Sequence, residues 1–559
     1  MSFIATSPDG KTKLTSDFKN KAMLKNMADS TLQTFVGHNG FVAAVGFSPD
    51  GKMVLTGSWD GTAKIWNLAG QEQATLIVID STEWVVTTLS GLFDASPGAM
   101  NLMYFVQGLE VIELEQLKER YYEPGLLSKL MGFSNEPLRS VAAFEAIALY
   151  PLIQLQLDSA KHQLRIALQA RKGGMGKLSI FVNDKEIIED ALQGAGPGWS
   201  RDTTIVLDLE PYARYFLSDT LNTISVRAYN RENWLRSPLY TLSYRPVFVG
   251  SKGGPGQSAS PGPFRRKPRP ALHLLLVGVH DYAGTALDLK YTAKDAEDMA
   301  AALRQAGGEL FGADSVFMHL LSTTPGKLQP SKASIQAAFE AIAVKAKAED
   351  ILLAYFSGHG VNYGEAEKSL FYFLTMETGS FDLSDPGIRA ARAISSEELT
   401  RWINKVPAQK QVLIVDACNS GKMVEDMGAG GKSLTASQIR AMDRMKDRTG
   451  MFILSGSAAD QKSFEASKFR QSLLTYSLLE AMQGAALNLD RDIDVMRLFD
   501  QARTRVRELA AELRLVQEPV PNYPKNAGAI FIGRVNENVT IEAARAGAVF
   551  VGSIFQDEV

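Results

Sequence analysis

The sequence predicts a multidomain protein: all-β regions through its N-terminal half, then an α/β domain whose mostly parallel sheet is flanked by helices. Three observations predict it. Ser7-Pro8-Asp9-Gly10 recurs as Ser48-Pro49-Asp50-Gly51, one propeller-blade length further on. Between 142 and 246 apolar residues recur with period two, the signature of half-buried strands. Beyond a Gly-, Pro- and Ser-rich stretch at 251–270, apolar strand-like runs alternate with helical periodicity.

Composition narrows the functional classes. The 559 residues are 45% hydrophobic and 22% charged, a balance for folded domains rather than extended disorder. The net charge of −3 supplies no overall field for nucleic acid or an anionic membrane, and neither partner is expected. One cysteine allows no internal disulfide and no zinc cluster, which suits a reducing, cytoplasmic setting. The first thirty residues hold no apolar signal core and no run of eighteen apolar residues occurs, so a soluble, non-secreted protein is expected.

Residues 1–100 read as a partial repeat region. The second copy, GHNGFVAAVGFSPDGKMVLTGSWDGTAKIWNL, resembles one WD repeat, with Gly37-His38, Ser58, Asp60 and Trp66 where that family builds a buried hydrogen-bond network. His38 and Asp60 are accordingly structural. Strands around 82–96 are expected to form part of a third blade. A closed propeller needs at least four blades, so the region is either an open sheet leaning on the chain or a surface completed by a protein partner. Residues 101–141 read as a helical connector broken at Pro124-Gly125, and 142–250 as an immunoglobulin-like β-sandwich serving as spacer or docking module. Residues 251–270 form a flexible linker, whose Arg265, Arg266, Lys267 and Arg269 read as solvated charge rather than a nucleic-acid patch.

From 271 to 535 the pattern is βα. Strands are expected at 272–279, 315–321, 351–356, 370–375, 412–415, 451–454 and 529–532. Helices are expected at 292–306, from 331, and at 396–405, 471–483 and 495–513. In the helix from 331, Ile335, Ala338, Phe339 and Ile342 form one apolar face. Two strand ends carry the chemistry. One runs into Ser357-Gly358-His359-Gly360, the other into Asp416-Ala417-Cys418-Asn419-Ser420-Gly421. Parallel strands present their carboxyl ends on one edge, so His359 can stand beside Cys418. A thiol near pKa 8.5 is mostly protonated at neutral pH, and an adjacent imidazole supplies the base that makes it a nucleophile. The amides of Gly360 and Cys418 would face a developing oxyanion. The tail, 536–559, is unassigned.

With Ala293-Lys294-Asp295-Ala296 at a helix start, these motifs give 271–535 a resemblance to the caspase-like cysteine peptidases, above all the prokaryotic and metacaspase branch. The resemblance implies a caspase-like α/β sandwich and a thiol protease with His359 and Cys418 as the catalytic dyad. Asp416 stands where animal caspases, which accept an acidic P1 side chain, carry glutamine. In metacaspase-like enzymes the matching residues line the S1 pocket, here Asp295, Ser357 and Asp416, and two carboxylates there favour Arg or Lys. The plainer readings are that Asp295 favours a helix first turn, Asp416 binds turn amides and Cys418 is inert.

Caspase-like zymogens are commonly cut after the catalytic strand, and the stretch 422–448 offers Lys422, Lys432, Arg440, Arg444, Lys446 and Arg448 on what reads as a flexible loop. Its GAGGKS run fails as a phosphate-binding loop, because Asp426 occupies the position of the first glycine. No cofactor is expected; calcium dependence occurs in parts of the family, but no compact acidic ligand set marks it here. The WD-repeat and caspase-like combination also resembles bacterial proteins. The competing functions are a catalytically silent caspase-like scaffold and a redox sensor acting through Cys418.

Overall fold

The computed structural model describes residues 3–16, 19–134, 136–142, 147–193, 201–218, 220–246, 270–364, 369–419, 435–456, 469–515, 517–524 and 528–535. The linker at 251–269, Lys422, Lys432 and the tail lie outside these residues.

Two antiparallel sheets open the chain. Ile4–Thr6, Thr12–Ser16, Lys21–Asn26 and Leu32–Val36 form the first in sequence order, and six strands from Val42–Phe47 to Phe93–Ala95 form the second. Both SPDG copies make the same turn: Ser7 Oγ donates to Asp9 Oδ1 at 2.6 Å and Ser48 Oγ to Asp50 Oδ1 at 2.6 Å. Gly10 and Gly51 close these turns at φ 72° and 70°, where a side chain would be strained. Leu14, Leu24, Phe35, Val42, Val54 and Trp66 make the core between the sheets.

Residues 82–96 do not begin a third blade. Trp84–Thr87 pairs with Glu72–Val78, and Phe93–Ala95 continues the same sheet. Val86 packs with Ile65 and Leu126 while Val85 joins a core with Phe93, Leu117 and Trp234, so the strand is covered on both faces by the chain itself. The buried network also differs in one member. His38 contacts Asp60 Oδ2 through Nδ1 at 2.9 Å and Thr56 Oγ1 through Nε2 at 2.8 Å, and Trp66 Nε1 donates to the same hydroxyl at 2.8 Å. Thr56 is fully buried beneath Trp66, whereas Ser58, at the strand end, accepts from the Asp60 amide at 3.2 Å. The connector is not purely helical either: Tyr104–Gln107 and Glu110–Glu113 form a hairpin ahead of the short helices Lys118–Tyr121 and Leu126–Leu130.

Two sheets of three and four strands, Leu152–Asp158 to Tyr240–Tyr244, enclose one core of Leu164, Ile166, Ile180, Val182, Ile224 and Val226. This sandwich is fastened to the α/β domain. Lys185, fully buried, donates through Nζ to the carbonyls of Val406 and Ala408. Burial, with Arg214 adding to it, pushes its ammonium well below the usual lysine range.

The α/β domain sets β1 (Leu272–Gly278), β2 (Val316–Ser322), β3 (Ile351–Tyr363), β4 (Leu370–Leu374), β5 (Ala393–Ser395), β6 (Lys410–Asn419), β7 (Phe452–Ser455) and β8 (Val520–Asn522) in one sheet. Its spine runs β2-β1-β3-β6-β7-β8, parallel except for β8; β4 and β5 fold back antiparallel on the extended end of β3. The helices are α1 (Thr292–Phe311), α2 (Lys332–Lys345), α3 (Pro386–Arg392), α4 (Ser396–Lys405), α5 (Ala436–Thr449), α6 (Leu473–Met482) and α7 (Val495–Glu512). Alternation along the strands divides the core. Leu274, Leu276, Leu353 and Ile414 face α1, α6 and α7, while Leu275, Val277, Leu352 and Leu413 face α2, α4 and α5. The strand expected at 529–532 forms as Phe531–Arg534 but pairs with Asp492–Asp494, outside the main sheet.

Residues 436–449 overturn one expectation. Arg440, Arg444, Lys446 and Arg448 lie not on a flexible loop but on α5, whose N-cap Thr435 accepts from the Gln438 amide. Their charges are engaged. Arg440 meets Glu123 at 3.0 Å, Arg444 donates to the Ser369 carbonyl at 3.0 Å, Lys446 meets Asp443 at 2.6 Å and Arg448 meets Glu186 at 2.6 Å. The apolar face of α5, Ala441, Met442 and Met445, is buried in the domain core. Glu123 of the connector also binds Lys129 and Arg139, each at 2.5 Å. Burial alone would push its carboxyl up, but Arg440, Lys129 and Arg139 outweigh that and hold it below the usual range. Glu123→Ala would take the counter-charge from Arg139 and Arg440 at a fully buried position, with Lys129 left to Glu136 alone at 2.8 Å, and a loss of about 3–5 kcal/mol is expected in urea unfolding. A loss below about 1 kcal/mol would show that the cluster adds nothing to stability.

Candidate active site

The β3–β6 ladder builds the site. Its register pairs Ser357 with Asp416, Gly358 with Ala417, His359 with Cys418 and Gly360 with Asn419, so the two motifs run side by side at the carboxyl edge of the sheet. The backbone of Cys418 lies directly opposite that of His359. Gly360 additionally pairs with Phe373 of β4, which makes β4 one wall of the same edge.

His359 is held on several sides. Its amide donates to the Tyr282 hydroxyl at 2.8 Å, and its ring lies 5.2 Å from the Tyr282 ring and 4.9 Å from Phe381. Its Nε2 is 2.8 Å from the Leu287 carbonyl oxygen. A carbonyl only accepts, so Nε2 carries the hydrogen and Nδ1 is the basic nitrogen of the neutral ring. Gly358 is required beside it: a Cβ there would lie 2.9 Å from the Tyr282 hydroxyl. Tyr282, Leu287 and Phe381 were not identifiable from sequence, since none belongs to a motif and their loops meet His359 only through folding.

Asp295, Ser357 and Asp416 are all fully buried, and Ser357 is the register partner of Asp416. The Ser472 amide donates to both Asp295 oxygens at 3.2 and 3.3 Å, and the Ser472 hydroxyl donates to Asp416 Oδ2 at 2.5 Å. Asp295 lies in the first turn of α1, where the plainer reading puts it, and also accepts from another segment; α1 has no side-chain cap. Asp416 Oδ1 and Ser357 Oγ have no hydrogen-bond partner among the described residues. Burial raises the Asp416 carboxyl to about 6, even though the Ser472 and Thr475 hydroxyls favour its ionised form. Burial, then the charge of Asp416, drives Asp295 well above the usual carboxylate range. Behind them, Asp298 accepts from Lys294 and Gln471. Two acidic groups thus resist sharing a buried space, and one of their oxygens is left unpartnered among the described residues. Ser472 was within reach of sequence reading as a helix-capping serine before the apolar run Leu473-Leu474.

Among the described residues no group of three or more His, Cys, Asp or Glu side chains is arranged to hold a metal ion. No helix among them is long and apolar enough to cross a membrane.

Residues 272–527 match the family model described as the caspase domain, and residues 29–67 match the WD domain, G-beta repeat. Metacaspase-4 of Arabidopsis thaliana is 25% identical over 185 residues, which span 32% of this chain and 40% of that relative. Among solved structures, protein GSU0716 from Geobacter sulfurreducens covers 48% of this chain and 95% of its own, with 16% identity and a TM-score of 0.28.

Proposed function

From the caspase domain that the chain carries at residues 272–527, we propose that this protein is a cysteine endopeptidase cleaving after Arg or Lys. One observation carries the reading: the backbones of His359 and Cys418 are register partners at the sheet edge, directly beyond the buried pair Asp295 and Asp416. In this reading His359 Nδ1 takes the proton of the Cys418 thiol, the thiolate attacks the scissile carbonyl, and the Gly360 and Cys418 amides receive the oxyanion. The protonated imidazole then returns its proton to the leaving amine, and water releases the acyl group. The substrate's P1 cation enters the acidic pocket, where it neutralises carboxylates that burial otherwise disfavours. Protein substrates follow from the peptidase domain, and the WD repeat suggests a further protein contact.

The test is turnover of Arg-, Lys- and Asp-terminated fluorogenic peptides by the native protein and by Cys418→Ala. Cleavage of the basic peptides, abolished in the variant, is expected; selective cleavage after Asp would sink the pocket assignment. No turnover, before or after limited trypsin treatment, would favour a silent scaffold. Activation by cleavage remains part of the proposal, with Lys422 or Lys432 as the cut site, since cutting at the other four candidates requires unwinding α5. Full activity of a chain shown by intact mass to be uncut would remove this step.

A further inference from the structure

Ser472, the N-cap of α6, ties the two pocket carboxylates together, and no family motif discussed above includes it. Its amide donates to Asp295 and its hydroxyl to Asp416 Oδ2, while the same oxygen accepts from the Thr475 amide at 3.0 Å and lies 2.9 Å from Thr475 Oγ1. A hydroxyl has one hydrogen, and the 2.5 Å contact directs it to the carboxylate. That bond occupies Oδ2 and leaves Oδ1, which has no partner among the described residues. Gly456 keeps the space at Oδ1 clear: a Cβ on it would stand 2.9 Å from that oxygen.

We propose that Ser472 is the positioning residue for basic P1 recognition, holding Asp416 ionised and turned so that Oδ1 accepts the substrate's cation. The inference rests on the Arg/Lys reading above and names what prepares that pocket. A carboxylate in a dry pocket stays charged only when donors face it. The titratable groups around this one give little help: Asp295 and Asp298 on α1 are acidic, Lys294 is committed to Asp298, and Tyr355 on β3 contacts Thr475 Oγ1 at 2.6 Å. Ser472 and Thr475 are therefore the donors that favour the charged form, and Thr475 Oγ1 is the more distant at 3.5 Å.

The test compares the full-length native protein with Ser472→Ala, Ser472→Gly and Ser472→Thr. Glycine caps a helix nearly as well as serine, so it removes the hydroxyl while sparing α6. For an Arg-terminated peptide near neutral pH, KM is expected to rise about tenfold in the Ala and Gly variants, the scale of one hydrogen bond to a charged group, with kcat little changed. The acid limb of kcat/KM should move to higher pH in both, most of the loss should be regained at pH 9, and Ser472→Thr should restore the native profile. Competition by agmatine, a small guanidinium probe, should weaken in parallel. An unmoved acid limb with a lowered Tm would reduce Ser472 to a helix cap and overturn the proposal, as would a threonine variant as impaired as alanine. If the native protein neither cleaves basic peptides nor binds agmatine, the Arg/Lys reading fails with it; if only the variants fail to differ, this inference alone falls.

Discussion

Asp416→Asn is expected to lower kcat/KM for Arg- and Lys-terminated peptides by two to three orders of magnitude and, at neutral pH, to raise the melting temperature. The first effect follows from leaving a substrate cation buried without its counter-charge, about 3–5 kcal/mol. The second follows from linkage. Burial lifts this carboxyl from 3.8 to about 6, so between those values the folded protein binds more protons than the unfolded chain, and stability falls as pH rises. Above that window the penalty is about 3 kcal/mol, which asparagine removes. The variant and native protein should therefore melt together near pH 4 and diverge by pH 7. The activity limb has the opposite sense: native kcat/KM for basic peptides should rise as pH climbs through about 6, because in the proposed reading ionised Asp416 is the form that binds the cation. A variant both less stable at pH 7 and fully active would refute the pocket assignment.

His359→Ala is expected to reduce kcat by about 10³–10⁴-fold, the scale of a lost general base. KM should change little, since His359 lies on the Leu287 and Tyr282 side of the site and the proposed P1 pocket draws on α1, β6 and the start of α6. A substrate-free measurement separates the reading from a folding defect. Alkylation of Cys418 by iodoacetamide near pH 7 should slow in the variant, because a thiol without an adjacent base gives up its proton less readily. Unchanged alkylation together with unchanged turnover would show that the imidazole does not act on the thiol. Far-UV circular dichroism should match the native protein, since the β-strand around residue 359 is held by β1, β4 and β6 on both sides.

The unbroken apolar runs that mark 351–356 and 412–415 as buried strands are a local property, and so is the turn chemistry of SPDG. Residue types and turn residues of this kind can be read without knowing what they pack on, which is why those elements were legible, and the tendency of parallel strands to share one carboxyl edge made the His359–Cys418 juxtaposition legible. The third-blade expectation failed because whether a strand starts a new sheet or extends the last depends on which surface is already covered. Here the chain's own connector, through Leu126 and Leu117, covers both faces of Trp84–Thr87. The basic run of 440–448 looked like solvent-exposed loop because its partners, Glu123, Glu186 and the carbonyl of Ser369, come from distant parts of the chain.

By itself, the sequence determined the order of the β regions and the α/β domain, the two motif-bearing strand ends, and the acidic residues beside them. Only the tertiary structure decided that Thr56 completes the His38 network, that α5 is an anchored helix, that Leu287 fixes the histidine tautomer, and that Ser472 joins Asp295 to Asp416. The physical reason is the same in each case. Periodicity and turn propensity are written residue by residue, but hydrogen bonds and charge compensation act through a few ångströms of space, and which groups share that space is set by packing.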